Sequence, residues 1–185
     1  MARLPARARF LLFVAAFFCV SQPGAASDDL PVVASIEPAR YQGRWYEIAR
    51  LPNVFQRKCV SDVIADYTLR DDGRITVRNQ CTSKAGTTDA VEGIARQRRQ
   101  DGPNTQLEVS FLPKGLRWIP FTWGDYWILE LDADYAYSVV GTPNRKYLWI
   151  LSRTPSMDEE RYRGILERVA RLGFDVSAVA RTVQR

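Results

Sequence analysis

Proteins that move protons at neutral pH commonly use histidine, and this chain has none among its 185 residues. Ser-His-Asp and Cys-His nucleophiles therefore lack their base, and imidazole ligation of a metal is equally unavailable. What remains are Cys59 and Cys81, two of the chain's three cysteines, and the closely spaced carboxylates Asp132 and Asp134. Aspartates at this spacing hold turns by accepting from their own backbone more often than they share a proton as an acid/base pair. No catalytic residue is assigned, and neither a cofactor nor a metal is expected. The other set with chemical meaning is apolar. Tyr67, Phe111, Trp127, Val139 and Trp149 each fall in a different extended stretch, and together they would line a pocket for a greasy molecule or fill a core.

The state of the cysteines depends on where the chain is delivered. Arg3, Arg7 and Arg9 precede an apolar run from Phe10 to Val20, followed by Gly24, Ala25 and Ala26. That is the order of an export signal with its cleavage site. The run is shorter than the ~20 residues a helix needs to span a bilayer, and Asp28 and Asp29 follow it. Cleavage is expected near Ala26, with residues 27–38 as an extension and 39–185 as one domain. Cys19 stands where a bacterial lipoprotein would carry its lipid, although Ala16-Phe17-Phe18 lacks the small residues of a lipobox. The net charge of +5 includes the three leader arginines, which leaves about +2 and gives no footing for a nucleic-acid partner. In an exported chain the even pair Cys59 and Cys81 suggests a disulfide, with two free thiols as the alternative.

The positioning elements are strands. From Trp45 to Arg153, short apolar, aromatic and β-branched stretches alternate with turn residues. The spacing predicts eight strands, approximately Gly43 to Ala49, Val60 to Leu69, Arg74 to Cys81, Thr88 to Arg98, Thr105 to Leu112, Tyr126 to Leu131, Ala136 to Gly141 and Tyr147 to Arg153. Asp72-Gly73 marks one hairpin. Period-two alternation in Val63, Ala65, Tyr67 and Leu69 gives the strands one apolar face. An all-β, eight-stranded, up-and-down antiparallel barrel fits better than an open sheet with two bare edges. After Thr154-Pro155 the period changes to helical in Tyr162, Ile165, Leu166, Val169 and Leu172, with Ser156 and Glu159 as a capping box and Gly173 as the terminator. This C-terminal α-helix should pack on the outside of the barrel.

The chain resembles the lipocalin family. Gly43-Arg44-Trp45 matches the motif that opens the first lipocalin strand, Asp134-Tyr135 matches a later turn motif in which Ala133 replaces the usual threonine, and Arg153 ends the eighth strand. The resemblance runs from about Ala39 to Phe174, and the stretches Gly43 to Arg50, Tyr67 to Asp72 and Tyr147 to Pro155 are similar to bacterial outer-membrane lipocalins. It implies binding of a fatty acid, lysophospholipid or similar amphiphile by an exported protein, periplasmic, or held at the outer membrane if Cys19 is lipidated.

Strand direction then brings Gly43, Trp45, Asp134, Tyr135 and Arg153 to one end, where the resemblance implies that Arg153 packs over the Trp45 indole as a floor, and brings Cys59 and Cys81 to the open end. The segment from Pro113 to Gly124, with Trp118, Phe121 and Trp123, falls at that mouth. It could lid the cavity, touch a membrane surface, form a homodimer contact, or fold over its own wall. Lys114 and Arg117 beside it favour an anionic headgroup. A protein-interaction module using this loop is the alternative function. A lipocalin-fold enzyme ranks below it, and a membrane-spanning barrel is disfavoured by Arg70, Arg78, Arg96 and Arg98 within or beside the strands.

Overall fold

Alternating strands joined by short turns close most economically on themselves, because closure leaves no row of unpaired N–H and C=O groups. The computed structural model describes residues 30–119 and 121–185. The expected export signal, including Cys19, lies outside the described residues. Eight antiparallel strands form the barrel: β1 (Gly43–Arg50), β2 (Cys59–Leu69), β3 (Ile75–Ser83), β4 (Thr88–Gln97), β5 (Gln106–Ser110), β6 (Gly124–Leu131), β7 (Tyr137–Gly141) and β8 (Leu148–Ser152). Each pairs with its neighbour in sequence, and β8 and β2 both pair with β1 to complete the ring. One helical turn, α1 (Pro38–Tyr41), precedes β1, and the main helix, α2 (Glu159–Arg171), follows β8.

Closure against β2 uses only the lower half of β1, from Gly43 opposite Tyr67 to Tyr46 opposite Ile64. Above that the two strands part, and the end of the chain enters the gap as a short ninth strand, β9 (Ala180–Arg181), paired with Arg50 and Ala49. Beyond it, the Thr182 N–H donates to Ile48 O, Asp62 N–H donates to Val183 O, and the Gln184 side-chain amide donates to the carbonyls of both Glu47 and Val63.

Two cores result. One is inside the lower barrel, around Trp45, Tyr67, Ile75, Val77 and Leu107. The other lies between the outside of the sheet and α2, where Ile165 and Val169 pack with Ile48, Leu148 and Ile150. Because α2 covers this side, β7 and β8 are buried on both faces rather than alternating. The helix is capped by Asp158, whose carboxylate accepts from the Arg161 N–H, in place of the expected Ser156. Gly173, at φ +87°, terminates it in the left-handed conformation.

The extension before β1 is part of the molecule. Leu30 joins the outer core and Ile36 the inner one. The segment is tied across the barrel by Val33 N–H to Ile128 O, Thr105 Oγ1–H to Val33 O and a two-way bond between Ile36 and the Asn104 side chain.

Candidate ligand-binding cavity

Inward-facing side chains of an eight-stranded barrel can fill it or leave room for one small ligand. Here they do both at different depths. At the floor Trp45 is fully buried, its indole Nε1–H donating to Tyr41 O at 2.9 Å. The Arg153 guanidinium stacks on that ring at 3.8 Å and donates to the carbonyls of Arg44 and Arg40. Burial lowers the Arg153 pKa from its ordinary value, with the neighbouring Tyr41 and Tyr67 opposing that shift. Gly43 adopts φ +93°, and a Cβ there would lie 3.4 Å from the Arg153 guanidinium, so glycine suits both the backbone and the stack. Tyr135, also left-handed at φ 61°, accepts from the Glu37 N–H through its hydroxyl and carries Arg40 on its ring at 4.1 Å. Asp134 is exposed in this turn. Asp132 accepts from the N–H groups of Asp134 and Ala136, which is turn chemistry rather than a shared proton.

Above the floor a cavity of about 860 Å³ opens at the other end. Three lining tyrosines at its lower end and the buried Ser138 behind them form a chain of four hydroxyls: Tyr67 to Tyr126 at 2.9 Å, Tyr126 to Tyr41 at 3.0 Å and Tyr41 to Ser138 at 3.0 Å. Burial pushes the Tyr41 phenol up to about 12 and raises those of Tyr67 and Tyr126 as well. The sides are aliphatic, with Val63, Ala65, Val77, Leu107 and Val109 among the lining residues. Near the mouth the Cys59–Cys81 disulfide joins β2 to β3, with Cα atoms 5.6 Å apart. At the same end, Tyr147 stacks on Trp149 and Phe55 leans on Tyr147. The Trp149 indole donates to Gln56 Oε1, and Gln56 donates to the buried carboxylate of Glu47, which also pairs with Arg50 and Thr182.

Of the five side chains expected inside, Tyr67, Phe111 and Trp149 line the cavity. Trp127 and Val139 do not. Both belong to the outer core beneath α2. On β6 the inward residue is Tyr126, one position earlier, and a register shift against β7 between Ile128 and Glu130 changes the phase lower down. A one-residue slip exchanges the faces of a strand, and β6, apolar on both, offers no alternation to fix it. The helix stripe was the usable signal, since α2 needs apolar strand residues on the outside to sit on. Sequence reasoning also missed Tyr41, Phe55, Asn79, Tyr126 and Tyr147 as lining residues.

The mouth loop is divided. Trp123 is folded back, its indole donating to Arg117 O and its ring under the Arg96 guanidinium at 3.8 Å. Trp118 is 78% exposed and Phe121 fully exposed. Across the opening, Val54 and Phe55 are also exposed.

A Lipocalin-like domain model matches residues 36–184. The chain is 43% identical over 157 residues to temperature-induced lipocalin-1 of Arabidopsis thaliana, covering 84% of this chain and 83% of that protein. It is 40% identical over 149 residues to the outer membrane lipoprotein Blc of Escherichia coli K12, covering 79% and 78%. To mouse apolipoprotein D it is 31% identical over 161 residues, covering 83% and 80%. Among solved structures, insecticyanin from the tobacco hornworm Manduca sexta superposes with a TM-score of 0.63 at 20% identity, covering 83% of this chain and 84% of that one. The cockroach allergen Per a 4 gives 0.63 at 17% identity, covering 84% and 92%. Matched by that domain model over residues 36–184 and at least 40% identical to two relatives over more than three quarters of their length, this chain belongs to the lipocalin family.

Proposed function

We propose that this protein is an extracytoplasmic carrier of a single-chain lipid, a fatty acid or lysophospholipid, serving lipid storage, transport or envelope maintenance, and that it is not an enzyme. The observation that carries the reading is the cavity: about 860 Å³, closed below by Tyr41, Tyr67 and Tyr126 above the Trp45–Arg153 floor, apolar on its sides and open above. That volume falls within the ~300–1,000 Å³ range of small-molecule pockets. Relatives named as an outer membrane lipoprotein and as apolipoprotein D support a lipid cargo and an exported setting. The contacts would come from Tyr67, Phe111 and Trp149, with Tyr126 below. Native mass spectrometry of gently purified protein should find a bound fatty acid or lysophospholipid. Failure of both to displace a dansylated fatty acid in titration would remove the reading.

A second reading concerns the rim. Trp118 and Phe121 stand in solvent while Trp123 is anchored, which favours insertion into a lipid surface over a lid closed on the cavity.

A further inference from the structure

We infer that the upper seam of the barrel, where β2 meets residues 182–185, is a lateral gate latched by Asp62, through which a lipid chain swings into the cavity while its head stays at the rim. The inference rests on the carrier reading and adds the route. In the lower barrel the seam is a regular ladder, with β1 from Gly43 to Tyr46 paired directly to β2. Above it the tail stands between the two strands, and among the described residues three hydrogen bonds join that tail to β2. Asp62 N–H donates to Val183 O at 2.8 Å, Arg185 N–H donates to Asp62 Oδ1 at 2.7 Å, and the Gln184 side-chain amide donates to Val63 O at 2.9 Å.

The backbone of β2 sets up this contact. Asp62 is left-handed at φ 55°, where the β2–β3 register shifts between Ser61 and Ile64. A bulge of this kind turns a residue out of its own ladder, and here it presents both N–H and carboxylate to the tail. The hydroxyls of Ser61 and Thr82 donate to the other carboxylate oxygen and fix its direction.

The seam opens easily, and it opens onto the cavity. None of residues 180–185 is buried, so no apolar burial holds the tail. Water replaces its bonds on release, and the freed residues regain conformational entropy. The root stays fixed, since Arg181 stacks on Tyr162 of α2 at 3.5 Å. Behind the tail the wall is one side chain thick: the Thr182 hydroxyl donates to the Glu47 carboxylate, and Glu47 and Val63 line the cavity. The strands that the tail separates lie about 10 Å apart, two sheet spacings, which passes an extended chain once the tail withdraws. Val60 and Val183, both exposed, flank the seam with apolar surface.

The orientation of the cargo gives such a route its use. A chain laid against the aliphatic sides places its head at the rim, among Lys58, Asp89 and Asp125. A lipid in a bilayer presents its head to the surface and its chain to the interior, so entry through an end-on mouth alone would lead with the head. A slit that runs down from the rim lets the chain follow sideways.

The test is stopped-flow exchange of a dansylated fatty acid between vesicles and the wild type or three variants: Gln184→Ala, a chain shortened to end at Arg181, and Ile165→Ala as a destabilised control away from the seam. Gln184→Ala should raise uptake and release together by about fivefold, the open population gained when one hydrogen bond across a two-state seam is lost, and the shortened chain should raise both by at least about tenfold. Affinity should stay within about twofold in both, because a gate changes the two rates alike and leaves the cavity contacts in place. Ile165→Ala should keep the wild-type rates. If the shortened chain fails to fold, Asp62→Gly, which keeps the left-handed backbone and loses the carboxylate, takes its place beside Gln184→Ala. Unchanged rates in the seam variants, or equal acceleration in Ile165→Ala, would overturn the gate. A wild type that takes up no probe would instead remove the carrier reading.

Discussion

Four hydroxyls, those of Tyr67, Tyr126, Tyr41 and Ser138, meet in the lower barrel, and their setting has a measurable consequence. An exposed tyrosine ionises near 10.0, whereas burial raises all three phenols here, Tyr41 to about 12. A raised folded-state value means that the unfolded chain loses its protons first as pH rises. The stability held by the neutral phenols is therefore complete below pH about 10 and is lost as pH climbs toward 12. Each phenol contributes a slope of about 1.4 kcal/mol per pH unit in that window. Urea midpoints should hold up to about pH 10 and fall steeply above it, and Tyr67→Phe should flatten the fall. An unchanged slope in that variant would remove Tyr67 from the network. Arg153 makes a complementary case. Its stack on Trp45 and its two carbonyl bonds close the floor, yet neither Arg153 nor Trp45 lines the cavity. Arg153→Ala should lower unfolding stability by about 2–4 kcal/mol, while the affinity of a cavity-bound fluorophore stays within about twofold.

At the scale of elements, α2 and the disulfide stabilise opposite sides of the barrel. Ile165 is fully buried between the helix and the sheet, so Ile165→Ala should cost about 2–5 kcal/mol in chemical denaturation. Cys59 and Cys81 are 22 residues apart, and removing the bridge by Cys81→Ser should cost about 3 kcal/mol on the loop-closure account. Mature protein that reacts with two equivalents of a thiol reagent before reduction would contradict the bridge. The eight strands and α2 were legible because turn residues punctuate them and their apolar periods differ, two against 3.6. What was not legible shares a cause. Trp127 and Val139 were assigned inward because nothing in a doubly apolar strand distinguishes its faces. The floor segment from Leu30 to Tyr41 and the tail beside β1 were missed because neither has periodicity. Both are held by individual bonds, such as Ile36 to Asn104 and Gln184 to Val63, that only the folded neighbours define.

At the scale of the whole molecule, the barrel is asymmetric along its axis. The floor end is a set of turns rich in paired charges, such as Arg74 with Asp72 and Arg40 with Glu37. The mouth end carries exposed Val54 and Phe55 on one loop and Leu116, Trp118 and Phe121 on the other, with Arg57, Lys58, Lys84 and Lys114 exposed around them. A cargo that enters through this mouth from a bilayer would avoid water if the apolar loops touched the lipid first and the cations met anionic headgroups, each worth about 1 kcal/mol near the surface. Vesicles of phosphatidylethanolamine and phosphatidylglycerol should therefore co-sediment with the protein more strongly than vesicles of phosphatidylcholine, and added salt should weaken the difference. The double variant Leu116→Ser, Trp118→Ser should lose about tenfold in partitioning while keeping its affinity for monomeric ligand, because neither side chain lines the cavity and the anchored Trp123 remains. If partitioning is unchanged and sedimentation velocity instead shows a dimer that the double variant dissociates, the rim faces a second copy of the chain rather than a membrane.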